Sequence, residues 1–95
     1  MENRFEWDEN KNKANIRKHG VSFREAATVF LDENALVIKD DAHSGGEERF
    51  IIIGFSAKPR LLVVCHCFRE SPATIRIISA RKAAEHESKL YGGAQ

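Results

Sequence analysis

Several things are scarce in this chain, and each scarcity narrows what it can be. Of its 95 residues two are cysteine, and the opening Met1-Glu-Asn-Arg-Phe5 has neither the basic-then-apolar pattern of an export signal nor the look of a transit peptide. A reducing cytoplasm is therefore the expected setting. Long apolar runs are missing as well. The longest, Leu61 to Cys65, falls far short of the roughly 20 residues that cross a bilayer. Neither sign of charge dominates: 15 Lys and Arg stand against 14 Asp and Glu, a net charge of +1, which excludes a strongly basic nucleic-acid coat but not a basic face. Repeats and low-complexity segments are absent. So are the GxSxG, P-loop and GxGxxG patterns, and Gly45-Gly46 alone reads as a turn, so nucleotide-cofactor enzymes are disfavoured. At 42% apolar and 31% charged, residues 1–95 fit one domain with a modest core rather than a disordered or collagen-like chain.

The charge that is present is unevenly placed. From Ser56 to Lys82 the charged residues are Lys58, Arg60, Arg69, Glu70, Arg76, Arg81 and Lys82, six positive and one negative. The remainder carries nine positive and thirteen negative. Such asymmetry points to a localised anion-binding surface, or more simply to a solvated basic rim.

The first half reads helical. Asp8 is placed to cap a helix running to about His19, with Gly20 as its left-handed stop. Ser22 and Glu25 have capping-box spacing for a second helix, whose Phe23, Ala26, Ala27 and Phe30 share a face. The second half reads as strands: Ala35 to Lys39, Arg49 to Phe55, Leu61 to Phe68 and Thr74 to Ala80, with turns at Pro59 and at Ser71-Pro72. A helix from about Lys82 to Tyr91 follows. The expectation is an α+β domain, two N-terminal helices packed on a four-stranded antiparallel sheet with a C-terminal helix.

Strand alternation sorts the sheet into two faces. With Phe55 paired to Leu61 and Phe68 to Thr74, one face holds Ile51, Ile53, Phe55, Leu61, Val63, Cys65, Cys67, Ile75 and Ile77. This almost wholly apolar face is expected under the helices. The other face mixes Phe50, Ile52, Leu62, Val64 and Ile78 with Glu48, His66, Thr74 and Arg76. A one-residue slip would exchange the faces of a whole strand.

Two tempting motifs carry little. The helix–turn–helix spacing around Gly20 offers few polar residues to read bases, so a sheet-covering αα-hairpin is the better reading. Cys65-His66-Cys67 on a strand divides its side chains between two faces, so no metal site is expected there. What remains is Glu48, Arg49, His66, Arg69, Arg76, Arg81 and Lys82. Histidine exchanges a proton near neutral pH, and arginine presents a fork of donors suited to phosphate oxygens. Equally, Arg76 and Glu48 would serve as a structural ion pair with His66 as a satisfied near-core histidine.

Phe5-Glu-Trp-Asp8, Lys18-His-Gly-Val-Ser-Phe23, Glu25-Ala-Ala-Thr-Val-Phe30, Gly46-Glu-Glu-Arg-Phe50 and Arg76-Ile-Ile-Ser-Ala-Arg-Lys82 together resemble the BrnT family, in order and over about nine tenths of the chain. The resemblance implies a RelE-like fold and a type II ribonuclease toxin that inhibits translation. It implies as partner a BrnA-like ribbon-helix-helix antitoxin, with operator DNA bound through that complex and no membrane. It transfers the positions Glu47-Glu-Arg49 and Arg76 to Lys82, but no settled catalytic set. On chemistry, Arg76 and Arg81 are expected on the phosphoryl oxygens, His66 as proton donor or acceptor, and Glu48 as its orienting group or as the base. No metal and no cofactor is expected, because the RNA supplies its own nucleophile. Arg49, Arg69 and a stripe of Lys82, His86 and Lys89 on the last helix would track the RNA backbone and meet the antitoxin. The alternative is a module that binds RNA or a partner without cutting.

Overall fold

The computed structural model describes residues 4–41 and 46–92, so Gly45 of the expected Gly45-Gly46 turn and Met1 to Asn3 lie outside the described residues. The described chain forms β1 (Arg4–Glu6), α1 (Glu9–His19), α2 (Phe23–Ala27) continued by a 3₁₀ turn (Thr28–Leu31), β2 (Leu36–Lys39), β3 (Phe50–Phe55), β4 (Leu61–Arg69), β5 (Ser71–Lys82) and α3 (Glu85–Gly92). The strands form one mixed sheet in the order β1-β5-β4-β3-β2. The α+β class holds, but the four-stranded antiparallel sheet gains a fifth strand, β1, parallel to β5. Three residues are too few for alternation to announce a strand.

The helix signals act where the sequence placed them. Asp8 accepts from the Lys11 N–H at 3.1 Å, and Gly20 ends α1 at φ 69°, a left-handed conformation that costs a residue with a Cβ. Ser22 caps α2 through the Glu25 N–H at 3.0 Å. The expected box is only half made. The Glu25 carboxylate turns instead to Ser56 Oγ at 2.6 Å and Arg60 Nε at 3.0 Å, and its pKa is lowered chiefly by the Arg60 hydrogen bonds.

The core corrects the expected faces. Val21, Phe23, Ala26 and Val29 pack on Ile52, Leu62, Val64, Ile77 and Ala80. Hence the helices cover the face that carries Ile52 and His66, not the one that carries Ile51 and Cys65. Phe55 does pair with Leu61. Phe68, however, pairs with Ile75 rather than Thr74. The turn is made at Glu70, at φ 58°, one residue ahead of Ser71-Pro72. That slip moves Ile75 and Ile77 onto the face of Ile52 and His66, where the helices lie, and carries Arg76 to the open face of Ile51 and Cys65.

α1 is anchored to β5 by one side chain. The buried Asn15 amide donates to Ala80 O at 2.7 Å and Val21 O at 2.8 Å, and its carbonyl accepts from the Ala80 N–H at 3.2 Å. β1 pairs with β5 at Thr74 to Arg76 and does not reach Ala80. The amide of Asn15 thus replaces a missing strand neighbour at that position.

Candidate functional site

β5 would put Arg76 and Arg81 on opposite faces if it alternated strictly, since they are five residues apart. A bulge prevents this. Cys65 pairs with Ser79 and His66 with Ile77, leaving Ile78 without a partner on β4. The extra residue inverts the phase, so Ser79 and Arg81 join Arg76 on the open face. Nothing in Ile77-Ile-Ser-Ala80 announces it.

Beside the bulge lies a cavity of about 230 Å³, lined by Asp40, Arg49, Ile51, Val63, Cys65, Ile78, Ser79 and Arg81. Its polar groups come from four strand regions. Asp40 follows β2 and is fixed by its N–H to Arg49 O at 2.8 Å, which also holds Arg49 at the mouth of β3. The half-buried Arg49 side chain makes no hydrogen bond or ion pair among the described residues. Arg81 is differently placed. Its Nη1 and Nη2 donate to the two oxygens of Glu87 on α3 at 2.8 and 2.7 Å, and Nη1 also to Lys82 O at 3.3 Å. Glu87 further accepts from the Ala84 N–H at 2.7 Å; these bonds, with Arg81 first, hold its carboxyl down to about 2. Burial raises the Cys65 thiol, keeping it protonated in the cavity wall.

Further along the same face, Arg76 Nη1 donates to Glu6 Oε2 at 3.1 Å, not to Glu48. Glu48 pairs with Lys39 Nζ at 2.9 Å on an exposed edge, which raises the lysine pKa through that hydrogen bond. Cys67 lies next to Arg76 in the register, with Glu47 and Arg69 near its sulfur, and burial first raises its thiol.

The structure does not bring His66 to this group. Its ring lies on the helix-covered face, 1% exposed, with Phe30 edge-on at 4.8 Å and Phe68 at 5.6 Å. Burial lowers its pKa, outweighing the hydrogen-bond contact of Nδ1 with Val64 O at 3.2 Å. Of the expected catalytic set, Arg81 and Arg76 therefore share one face, His66 occupies the other, and Glu48 is tied to Lys39. The expected stripe on the last helix is also revised. Lys82 closes β5, and the Ala83 N–H to Leu61 O bond at 2.9 Å extends that ladder, so α3 starts only at Glu85. His86 and Lys89 remain as exposed residues of α3.

Three residues at the cavity or bonded to its lining carry no clear signal in the sequence: Asp40, Ser79 and Glu87. The Glu87 pairing had a faint local signal, an acid six residues after an arginine across a strand-to-helix junction. Cys65 and Cys67 face away from His66, and no group of three or more His, Cys, Asp or Glu side chains among the described residues gathers around a common point for a metal. No helix among them is long and apolar enough to cross a membrane.

Comparison with known proteins adds an identity to this geometry. Curated sequences yield no significant match. Among solved structures, the crystal structure of the Brucella abortus ribonuclease toxin BrnT is similar, with a TM-score of 0.66 and 25% sequence identity. The match covers 87% of this chain and 99% of that one. Residues 7–87 match the family model described as the ribonuclease toxin BrnT of type II toxin–antitoxin systems. With that match spanning most of its length, the chain belongs to the BrnT family of type II ribonuclease toxins.

Proposed function

We propose that this chain is an endoribonuclease whose open sheet face cleaves RNA without a metal, and that it thereby inhibits translation. The observation that carries the proposal is a cavity lined both by Arg49, whose side chain has no hydrogen-bond or ion-pair partner among the described residues, and by Arg81, held by its two bonds to Glu87. In RNA the attacking 2′-hydroxyl already adjoins the scissile phosphate, so the protein need not generate a nucleophile. It has to remove one proton, stabilise the added negative charge of the phosphorane, and return a proton to the 5′-oxygen. Two guanidinium groups are suited to the second task, because their donors fit the phosphoryl oxygens and need little reorganisation. Asp40 is the carboxylate among the cavity-lining residues and is assigned the 2′-hydroxyl proton. Ser79 contributes a hydroxyl donor on the same wall. Arg76 and Arg69, further along the face, bind neighbouring phosphates, with Lys82, His86 and Lys89 at the rim. His66 and Glu48 have no place in this assignment, for the reasons of position given above.

A type II toxin implies an antitoxin. We assign that role to a BrnA-like ribbon-helix-helix protein that covers the open face and contacts operator DNA itself.

The test is incubation of the purified chain with RNA in EDTA. Cleavage is expected, and Arg49→Ala and Arg81→Ala should each reduce it by roughly tenfold to a hundredfold, the cost of one charge-assisted contact of about 1.5–3 kcal/mol. Cleavage that requires added divalent ion overturns the mechanism. RNA that is bound but left intact favours the non-catalytic module instead.

A further inference from the structure

Arg81 can act on a phosphate only with the donors that Glu87 leaves it. A guanidinium carries five N–H groups. Both hydrogens of Nη1 are engaged, by Glu87 Oε1 and Lys82 O, and one of Nη2 by Glu87 Oε2. The Nε–H and the second Nη2–H have no partner among the described residues. These two lie on the same edge of the planar group and form a fork of their own, turned by about 120° in the plane from the one that Glu87 fills. Glu87 is itself constrained: its side chain is 12% exposed, and Oε1 is also bonded to the Ala84 N–H at the start of α3. α3 is in turn pinned at its far end, where Tyr91 donates to Asp32 at 2.8 Å and packs edge-on against Phe55. None of its residues is buried, so these polar pins, rather than a core, fix its place.

We propose that Glu87 is a positioning residue for phosphate binding: it clamps the outer fork of Arg81 so that the Nε/Nη2 edge is presented in the cavity opposite Arg49. This rests on the reading of the cavity as the RNA site. The free arginine side chain samples many rotamers, and ordering it at each binding event would cost affinity. A bidentate carboxylate removes that cost in advance and still leaves two directed donors. α3 thus contributes to the site without touching the substrate.

The experiment is a double-mutant cycle on the full chain with Glu87→Ala, Arg81→Ala and both together. It is read by two measurements: RNA cleavage, and binding of an oligonucleotide whose 2′-hydroxyls are replaced by hydrogen. Glu87→Ala should weaken both by about tenfold in the wild-type background and by less than about twofold once Arg81 is gone, because coupled residues are not additive. Glu87→Gln, which keeps the shape and one acceptor oxygen, should restore part of the loss. It also serves as the test variant if the alanine protein does not fold. A purely structural role for Glu87 predicts the same loss in both backgrounds, and that result overturns the proposal. So does tighter oligonucleotide binding by Glu87→Ala or Glu87→Gln, since Glu87 would then be neutralising Arg81. If wild type leaves RNA intact, the ribonuclease reading fails, while the binding cycle still decides on Glu87.

Discussion

Burial sets what His66 can contribute. A histidine works as a proton shuttle when both forms are accessible near neutral pH. This ring is enclosed by Phe30, Phe50 and Phe68, and desolvation disfavours its charged form. Its polarity made it conspicuous in an apolar strand, and that attracted a chemical role. The alternative reading, a satisfied near-core histidine, matches its surroundings here. Because its folded pKa lies below the unfolded value of about 6.5, the unfolded chain takes up the proton first as pH falls. Its contribution to stability is therefore complete above about pH 6.5 and is lost progressively below that. His66→Leu should flatten the fall in melting temperature between about pH 7 and 5, and leave RNA cleavage within about threefold of wild type. The measurements are thermal melts over that range and a cleavage assay at neutral pH. A hundredfold loss of cleavage with an unchanged melting profile would return His66 to the chemistry.

Elements differ in how much of them the residues announce. α1 and α2 were legible because their ends are local events: Asp8, Gly20 and Ser22 act within four residues of themselves. The hairpin of β3 and β4 was legible too, down to Phe55 opposite Leu61. β5 was not, since its phase depends on a turn placed at Glu70 and a bulge at Ile78, and neither Glu70 nor Ile78 is a residue that signals such a device. The consequence for the site is large: two arginines that strict alternation along β5 would separate share one face. Asn15 supports that arrangement from α1 by bonding both backbone groups of Ala80, the neighbour of Arg81. Asn15→Ala should leave the Ala80 N–H and the C=O groups of Ala80 and Val21 without this partner, at a cost of about 2–4 kcal/mol. For a domain of this size that is a drop of roughly 10 °C or more in melting temperature. Thermal or urea denaturation measures it, and a change below about 2 °C would show that Ala80 finds other partners.

Over the whole molecule, linear charge and spatial charge diverge. The basic segment from Ser56 to Lys82 suggested one strongly cationic surface, yet the fold brings acids from elsewhere onto it: Glu25 to Arg60, Glu6 to Arg76 and Glu87 to Arg81. Around the cavity and along β5, Arg49, Arg69, Arg76 and Arg81 lie among Asp40, Glu6, Glu47 and Glu87, with Arg4 at the outer edge. Such a surface attracts a polyanion weakly at long range and holds a phosphate by short, directed hydrogen bonds. The distinction is measurable, because each phosphate contact on a single strand releases counterions and contributes about −0.7 to the slope of log K against log salt concentration. Three phosphates, the scissile one between Arg49 and Arg81 and one each at Arg69 and Arg76, predict a slope of about −2.1. Neutralisation by all six cations of the basic segment would give about −4. A salt titration of wild type with the 2′-deoxy oligonucleotide separates the two. The shallow slope should shrink further, to about −1.4, in Arg76→Ala, while Lys82→Glu with Lys89→Glu at the rim should change it little. A steep slope that collapses in that rim double mutant would instead place RNA along the end of β5 and α3, outside the cavity.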